Sequence, residues 1–410
     1  PGAVLWCWLT GVFGIATKYA ESLVAVKYRV KTEDGRMMGG AMYALERGLH
    51  MKWLGVVFAV LLILCFAFGF NGLQSFNATS SLTYYTGDGE MSTKAAIASG
   101  IVLAAMTAIV IFGGSKRISI ITSVVVPVMA LIYIAIAVWT TVSNIGELPA
   151  VFGLMFASAF DFQSIFGGFA GSVVMLGIKR GLYSNEAGMG SAPNAAATAS
   201  VSHPVKQGLV QSLSVYIDTL LICTCSAMMV LVFYVQDPET ATALNGMPLV
   251  QMAVNNSVGE WGIHVITFAI FAFAFSSLIG NYFYAESNLR FIKDDSPVLL
   301  TVFRIVCLVI IYFGAVNSFD LAWNLADIFM GFMAIVNLIA ILLLGKWAIK
   351  ALDDYTEQRN AGKDPVFVAD KIEGLPKTQC WHIGEDDLKD VGEQPVKEYF
   401  ADAMEAKPLE

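Results

Sequence analysis

Residues 51–73 read MKWLGVVFAVLLILCFAFGFNGL, and from Trp53 to Phe70 no side chain carries a charge or an amide. At 1.5 Å rise per residue, about 20 such residues cross the hydrocarbon core of a bilayer as a helix. A stretch apolar on every face has no solvent side, so it must be buried in protein or lipid. The chain repeats this signal nine times, at 3–25, 51–73, 95–113, 119–141, 150–176, 207–234, 260–284, 298–316 and 320–346. The runs are long and continuous, which favours helices over the ten-residue alternations of a β-barrel. Composition agrees, since 14% of the 410 residues are charged against about 25% in a soluble domain. The fold class is an all-α polytopic membrane protein.

Several chemistries fall away. Four His and six dispersed Cys leave little for a zinc or iron–sulfur centre, and a net charge of -8 gives no footprint for nucleic acid. Cys223 and Cys225 lie inside an apolar run, where they read as small buried hydrophobes. No G-x-x-x-x-G-K-[ST] run supports nucleotide-driven pumping. His50, His203, His264 and His382 are scattered, and no Ser/His/Asp set suggests an enzyme.

Lys and Arg set the orientation. Lys27, Arg29, Lys31, Arg36 and Arg47 follow the first run, Lys116 and Arg117 the third, and Lys179, Arg180 and Lys206 the fifth. Arg290 and Lys293 follow the seventh. The opposite set of loops (74–94, 142–149, 235–259 and 317–319) holds Lys94 alone. The first set therefore faces the cytoplasm, as do the polar loop 177–206 and the charged tail 347–410, which reads as solvated.

Polar groups at depth carry the functional information, because each is costly there. The fifth run holds Asp161, Gln163 and Ser164 before Gly167, Gly168 and Gly171. Such glycines either break a helix around a site or let two helices pack closely. Ser276 and Ser277 sit centrally in the seventh run, either as hard oxygen ligands for sodium or bonded back to their own helix. Asp327, four residues after Trp323, and Asp218 each need a partner, since a carboxylate at the bilayer centre costs about 2.5–3.5 kcal/mol. Asn71, Gln74 and Asn77 form a polar stripe closing the second run.

Taken together, GIKRGLYSNEAGMGSAPNAAATA (177–199) with HPVKQGLVQ (203–211) resembles the signature of the bacterial and archaeal alanine/glycine:cation symporter family. WLTGVFGIATKYAESLVAVKYR, GGSKRIS, FAFAFSSLIGNYFYAE and AWNLADIFMGFMAIVNLIA resemble its other characteristic stretches. The resemblance implies a LeuT-like five-plus-five inverted repeat. Residues 1–149 would be the last four helices of the first repeat and 150–346 the second repeat. One core helix and a helix before it would precede Pro1, so the chain is expected to be N-terminally incomplete.

The resemblance also implies roles. Phe166, Gly167 and Gly168 would belong to the broken sixth core helix facing substrate. Ser276 and Ser277 would hold sodium, Gln74 would contact the amino acid, and Trp323 would wall its side chain. Asn77, Asp161, Asp327, Asn337, Asn185 and Glu186 are further candidates. Gln74 departs from the family's Q-x-N pattern, reading Q-S-F-N here, and Val336 replaces a frequent proline. The expected function is sodium-coupled symport of alanine or glycine by alternating access, in the inner membrane of a bacterium or archaeon. No cofactor, nucleic acid or obligatory protein partner is expected, and the functional unit is a monomer. The alternatives are a proton-coupled carrier, or a channel or structural subunit.

Overall fold

Helix starts follow the caps written in the sequence. The computed structural model describes residues 1–32, 35–86, 92–161, 172–293, 296–375 and 378–381. Ser92 Oγ accepts from Ala95 N, and Ser296 Oγ accepts from Leu299 N ahead of Pro297. His203 caps a third helix ahead of Pro204. A polar cap followed by proline at the first helical position satisfies amides that have no partner within the helix.

The resulting order is α1 (Ala3–Lys27), a two-stranded antiparallel ribbon β1–β2 (Val30–Lys31 with Met37–Met38), α2 (Lys52–Ser80), α3 (Thr93–Ile111), α4 (Ser115–Ser143) and α5 (Leu148–Phe160). Then come α6 (Val173–Asn185), α7 (Pro193–Ala196), α8 (Pro204–Gln236), α9 (Pro238–Ala243), α10 (Met247–Val258), α11 (Glu260–Ile292), α12 (Pro297–Ala315) and α13 (Phe319–Asn360). Eight helices among the described residues are long and apolar enough to cross a membrane. They match eight of the nine runs. The fifth run, 150–176, is the exception: α5 stops at Phe160, Asp161 is extended, and α6 begins at Val173. Loop 177–206 is also shorter than its polarity suggested, because α6 runs through Asn185.

Within α2 and α8 the backbone widens into π-helical turns, at Leu64–Phe70 and Tyr216–Ile222. Such turns are rare and concentrate at functional sites.

The described residues fall into two contact units. The first is drawn from Pro1–Gly11, Leu61–Ser184 and Ile217–Gly331. One of its cores joins α2, α3, α11 and α12 through Ala67, Ile111, Ile279, Tyr282 and Phe303, and another joins α4, α8, α10 and α11 through Tyr133, Met229, Val254 and Ile266.

The second unit is drawn from Val12–Val60, Asn185–Tyr216 and Phe332–Glu410. Its core gathers Leu23, Val26, Tyr28, Val205, Leu344, Trp347, Tyr355, Phe367 and Trp381. For the described residues up to Trp381, this corrects the reading of the tail 347–410 as solvated. Helix α13 continues to Asn360, and the chain then folds back. Phe367 N donates to Ser202 O at 2.9 Å, and Gln358 clasps both backbone groups of Val366. Trp381 is 1% exposed. Its Nε1 donates to Val26 O, and the Arg29 guanidinium lies 4.2 Å from its ring. An apolar surface within a polar segment is invisible to composition.

His203 ties this fold-back to the start of α8. Its Nδ1 accepts from Val205 N at 3.2 Å, so the neutral ring carries its proton on Nε2, which donates to Asp354 at 3.1 Å. Burial pushes the imidazole below its ordinary value of 6.5, with Asp354 opposing and Lys206 assisting. Protonation sets a second N–H against that of Val205 and breaks the cap. A lowered histidine pKa contributes stability that is complete above pH 6.5 and is lost as pH falls below it. Thermal unfolding of the detergent-solubilised protein should therefore weaken from about pH 7 to 5, more steeply than for His203→Gln. Parallel profiles for the two proteins would refute this role.

Candidate functional site

The first unit contains a cavity of about 340 Å³. Gln74 and Asn77 of α2, Tyr133 of α4, and Asp218 and Ser226 of α8 supply its polar wall; Ile222, Met247, Val250, Ile270, Phe273 and Ala274 supply the apolar remainder. Asp218, Ile222 and Ser226 recur every four residues and so share one face of α8. Tyr133 Oη and Ser226 Oγ share a hydrogen bond of 2.6 Å. Ser184 Oγ donates to Asp218 Oδ2 at 2.5 Å and lies 2.9 Å from Thr219 Oγ1. One turn before Gln74, where the π-helical turn of α2 ends, Asn71 is wholly buried. Neither polar atom of its side chain has a hydrogen-bond partner among the described residues. A buried orphan amide is costly and usually has a reason to exist.

A charged network begins at this wall. Gln74 Nε2 donates to Tyr183 Oη at 2.8 Å, and the Tyr183 ring stands 5.4 Å from that of Trp323. The Arg180 guanidinium lies 4.2 Å from the Trp323 ring and grips both oxygens of Asp327 at 2.6 and 2.7 Å. Both bonds come from the one nitrogen Nη2, and the flat contact with an aromatic face is what a guanidinium offers and an ammonium does not.

The NEAGMGSAP motif in the second unit folds around a carboxylate. Glu21 of α1 is 3% exposed. Its Oε2 accepts from Gly188 N at 3.0 Å, Gly190 N at 3.2 Å and Asn337 Nδ2 at 2.9 Å. Lys18, a turn earlier, donates to Asn185 O at 2.7 Å. Both glycines are left-handed, with φ of +87° and +77°. A Cβ at Gly188 would meet Leu338 at 2.8 Å, and one at Gly190 would meet Phe58 at 2.7 Å. Both positions therefore require glycine for conformation and for space.

Residues 1–369 match the sequence model of the sodium:alanine symporter family. The chain belongs to that family. Relatives include the amino-acid carrier protein AlsT of Bacillus subtilis, 43% identical over 382 residues that cover 93% of this chain and 79% of that protein. The sodium/alanine symporter AgcS of Methanococcus maripaludis is 37% identical over 361 residues, covering 88% and 78%. The sodium/proton-dependent alanine carrier protein of Bacillus sp. PS3 is 37% identical over 397 residues, covering 94% and 87%. The chain is thus a multi-pass transporter and not an enzyme.

Measured against that family, the expected site residues are dispersed. Gln74 and Asn77 line the cavity. Ser276 Oγ donates to Phe273 O at 2.9 Å, the bond back to its own helix. Ser277 lies on the α11 face that carries Ile270 and Phe273, without lining the cavity itself. Trp323 and Asp327 connect to Gln74 through Arg180 and Tyr183. Asp161 caps the C-terminus of α5 and is exposed. Asn337 donates to Glu21 and to Gly188 O, Asn185 Oδ1 accepts from Ala187 N, and Glu186 accepts from Ser191 Oγ at 2.7 Å. These three belong to the motif's own scaffold. Phe166, Gly167 and Gly168 lie outside the described residues.

Sequence reading did not single out Tyr133, Tyr183, Ser184, Ser226 or Glu21. No local spacing flags them, although Glu21 is an acid inside an apolar run. Among the described residues no group of three or more His, Cys, Asp or Glu could hold a metal. Removing the carboxylate in Glu21→Ala orphans two amides and an Asn side chain, and should cost about 2–4 kcal/mol. Glu21→Gln keeps a carbonyl acceptor and should cost roughly half as much. Thermal unfolding of both variants checks the order, and equal losses would contradict the cradle.

Proposed function

We propose that this protein imports a small neutral amino acid, alanine or glycine, together with sodium across the cell membrane. The reading is supported chiefly by a polar-walled cavity enclosed by apolar helices in a chain of the sodium:alanine symporter family. About 340 Å³ is at the small end of ligand sites. Gln74 and Asn77 present amides that suit a carboxylate or ammonium, while Phe273 and Ile270 present an apolar wall to a small side chain. One methyl is worth about 1–3 kcal/mol in such a pocket, so alanine and glycine overlap as substrates. Phe166, Gly167, Gly168 and Trp323 complete the proposed substrate wall during transport.

Ser276 and Ser277 are the proposed sodium ligands, which requires Ser276 to exchange its bond to Phe273 O for the ion. Transport follows alternating access in a LeuT-like pair of inverted repeats, 1–149 and 150–346, with loop 177–206 and the tail in the cytoplasm. One copy suffices. Because coupling is reciprocal, sodium and amino acid raise each other's affinity by the same factor. A proton-coupled reading has one observation in its favour, the sodium/proton-dependent name of the Bacillus sp. PS3 relative.

Proteoliposomes containing the full-length gene product should take up labelled alanine when sodium is outside and lose uptake when choline replaces it. Uptake that is indifferent to sodium but driven by an inward proton gradient would transfer the reading to protons. Replacing both Ser276 and Ser277 with Ala should raise the sodium concentration for half-maximal uptake about tenfold, the equivalent of two modest polar contacts. An unchanged value would remove sodium from these serines.

A further inference from the structure

We propose that Asp218, with the hydroxyls of Ser184 and Thr219, forms a second small-cation site in the cavity wall. Its occupant is a sodium ion additional to the one assigned to Ser276 and Ser277, or the ammonium group of the carried amino acid. The proposal rests on the transport reading above.

Asp218 sits midway along the apolar span α8, and its side chain lines the cavity. A carboxylate kept at such depth is a functional residue by default. It lies in the π-helical turn Tyr216–Ile222. Consecutive residues of an ordinary helix point about 100° apart. Here one hydroxyl, Ser184 Oγ, reaches both Asp218 and its neighbour Thr219, at 2.5 and 2.9 Å. The proton order follows from hydroxyl chemistry. Ser184 gives its single proton to the carboxylate, so Thr219 donates to Ser184, and both hydroxyl protons run toward Asp218. Thr219 is wholly buried, which holds this chain in place.

The donor set selects the cation. One carboxylate with neutral oxygens balances a single positive charge, whereas calcium sites gather several carboxylates. Cys223 Sγ lies 3.1 Å from Ser184 Oγ, and among the described residues no group of three or more His, Cys, Asp or Glu is placed to hold a transition metal. Gln74 and Asn77 add amide oxygens within the same cavity. Ser276 and Ser277 do not line it, so the two cation positions are separate.

The test uses the full-length protein, purified in nanodiscs, with two direct measurements: equilibrium binding of ²²Na⁺ without amino acid, and binding of labelled alanine at saturating sodium. Asp218→Asn should lose one bound ²²Na⁺ per protein if the occupant is sodium. If the occupant is the substrate ammonium, ²²Na⁺ binding stays intact and alanine binding weakens at least about tenfold. Either result supports the site. Unchanged binding of both ligands overturns it. Ser184→Ala, a milder change, should weaken the same ligand about threefold and decides the matter if Asp218→Asn fails to fold. A wild-type protein that binds neither ligand counts against the transport reading instead.

Discussion

Hydrocarbon offers a backbone amide no partner, and each unsatisfied group there costs several kcal/mol. That constraint accounts for the long unbroken helices and makes every departure from them informative. Two such departures within spanning helices are the π-helical turns Leu64–Phe70 and Tyr216–Ile222. Asn71, Gln74 and Asn77 follow the first, and Asp218 lies in the second. Irregular backbone and polar side chains thus coincide around the cavity, where internal partners and a polar space make the irregularity tolerable. A third π-helical turn, Ala44–Gly48 in the second unit, has no such association.

Two carboxylates, Asp327 half-buried and Glu21 buried, illustrate different ways of meeting the cost of desolvation. Asp327 is met by a full counter-charge, Arg180 Nη2 shared between its two oxygens, with Lys179 Nζ at 3.7 Å. Glu21 is met by two amides of a left-handed glycine loop and the Asn337 side chain. The first arrangement carries charge between two helices of one unit. The second turns a sequence motif into a scaffold, and it explains why Asn185, Glu186 and Asn337 contact their own loop and not the cavity.

Most of the fold was legible because the apolar runs are long and leave a helix no solvent side. Eight of the nine runs are helices of spanning length, and the fifth parts at Asp161, among the polar and glycine residues that marked it. The site was legible only in part. The stripe of Gln74 and Asn77 could be read from helical spacing, and the need of Asp327 for a partner from its depth. The partner itself was hidden, because Arg180 sits beside Lys179 at a span end and was counted as loop charge. Glu21 meets its amide donors across 167 residues of sequence. No local periodicity reports such a contact. Trp381 was missed for the opposite reason: its neighbours are polar, and its burial depends on Val26 and Arg29 far away.

The π-helical turn in α2 also fixes the angular position of everything after it. A π turn accommodates one more residue than an α turn, and each residue advances a helix by about 100°. If the same residues between Leu64 and Phe70 wound as a regular α-helix, every following residue would turn by about 100° from its present position. Asn71, Gln74 and Asn77 would then swing by roughly a quarter of a circle, and the cavity would lose two of its five polar walls. Deleting one residue from the wide turn would instead restore an ordinary α turn and leave the stripe facing as it does now. The wide turn thus absorbs one residue without changing the phase of the helix, and alignments across this family need a gap or an insertion here to be read with care.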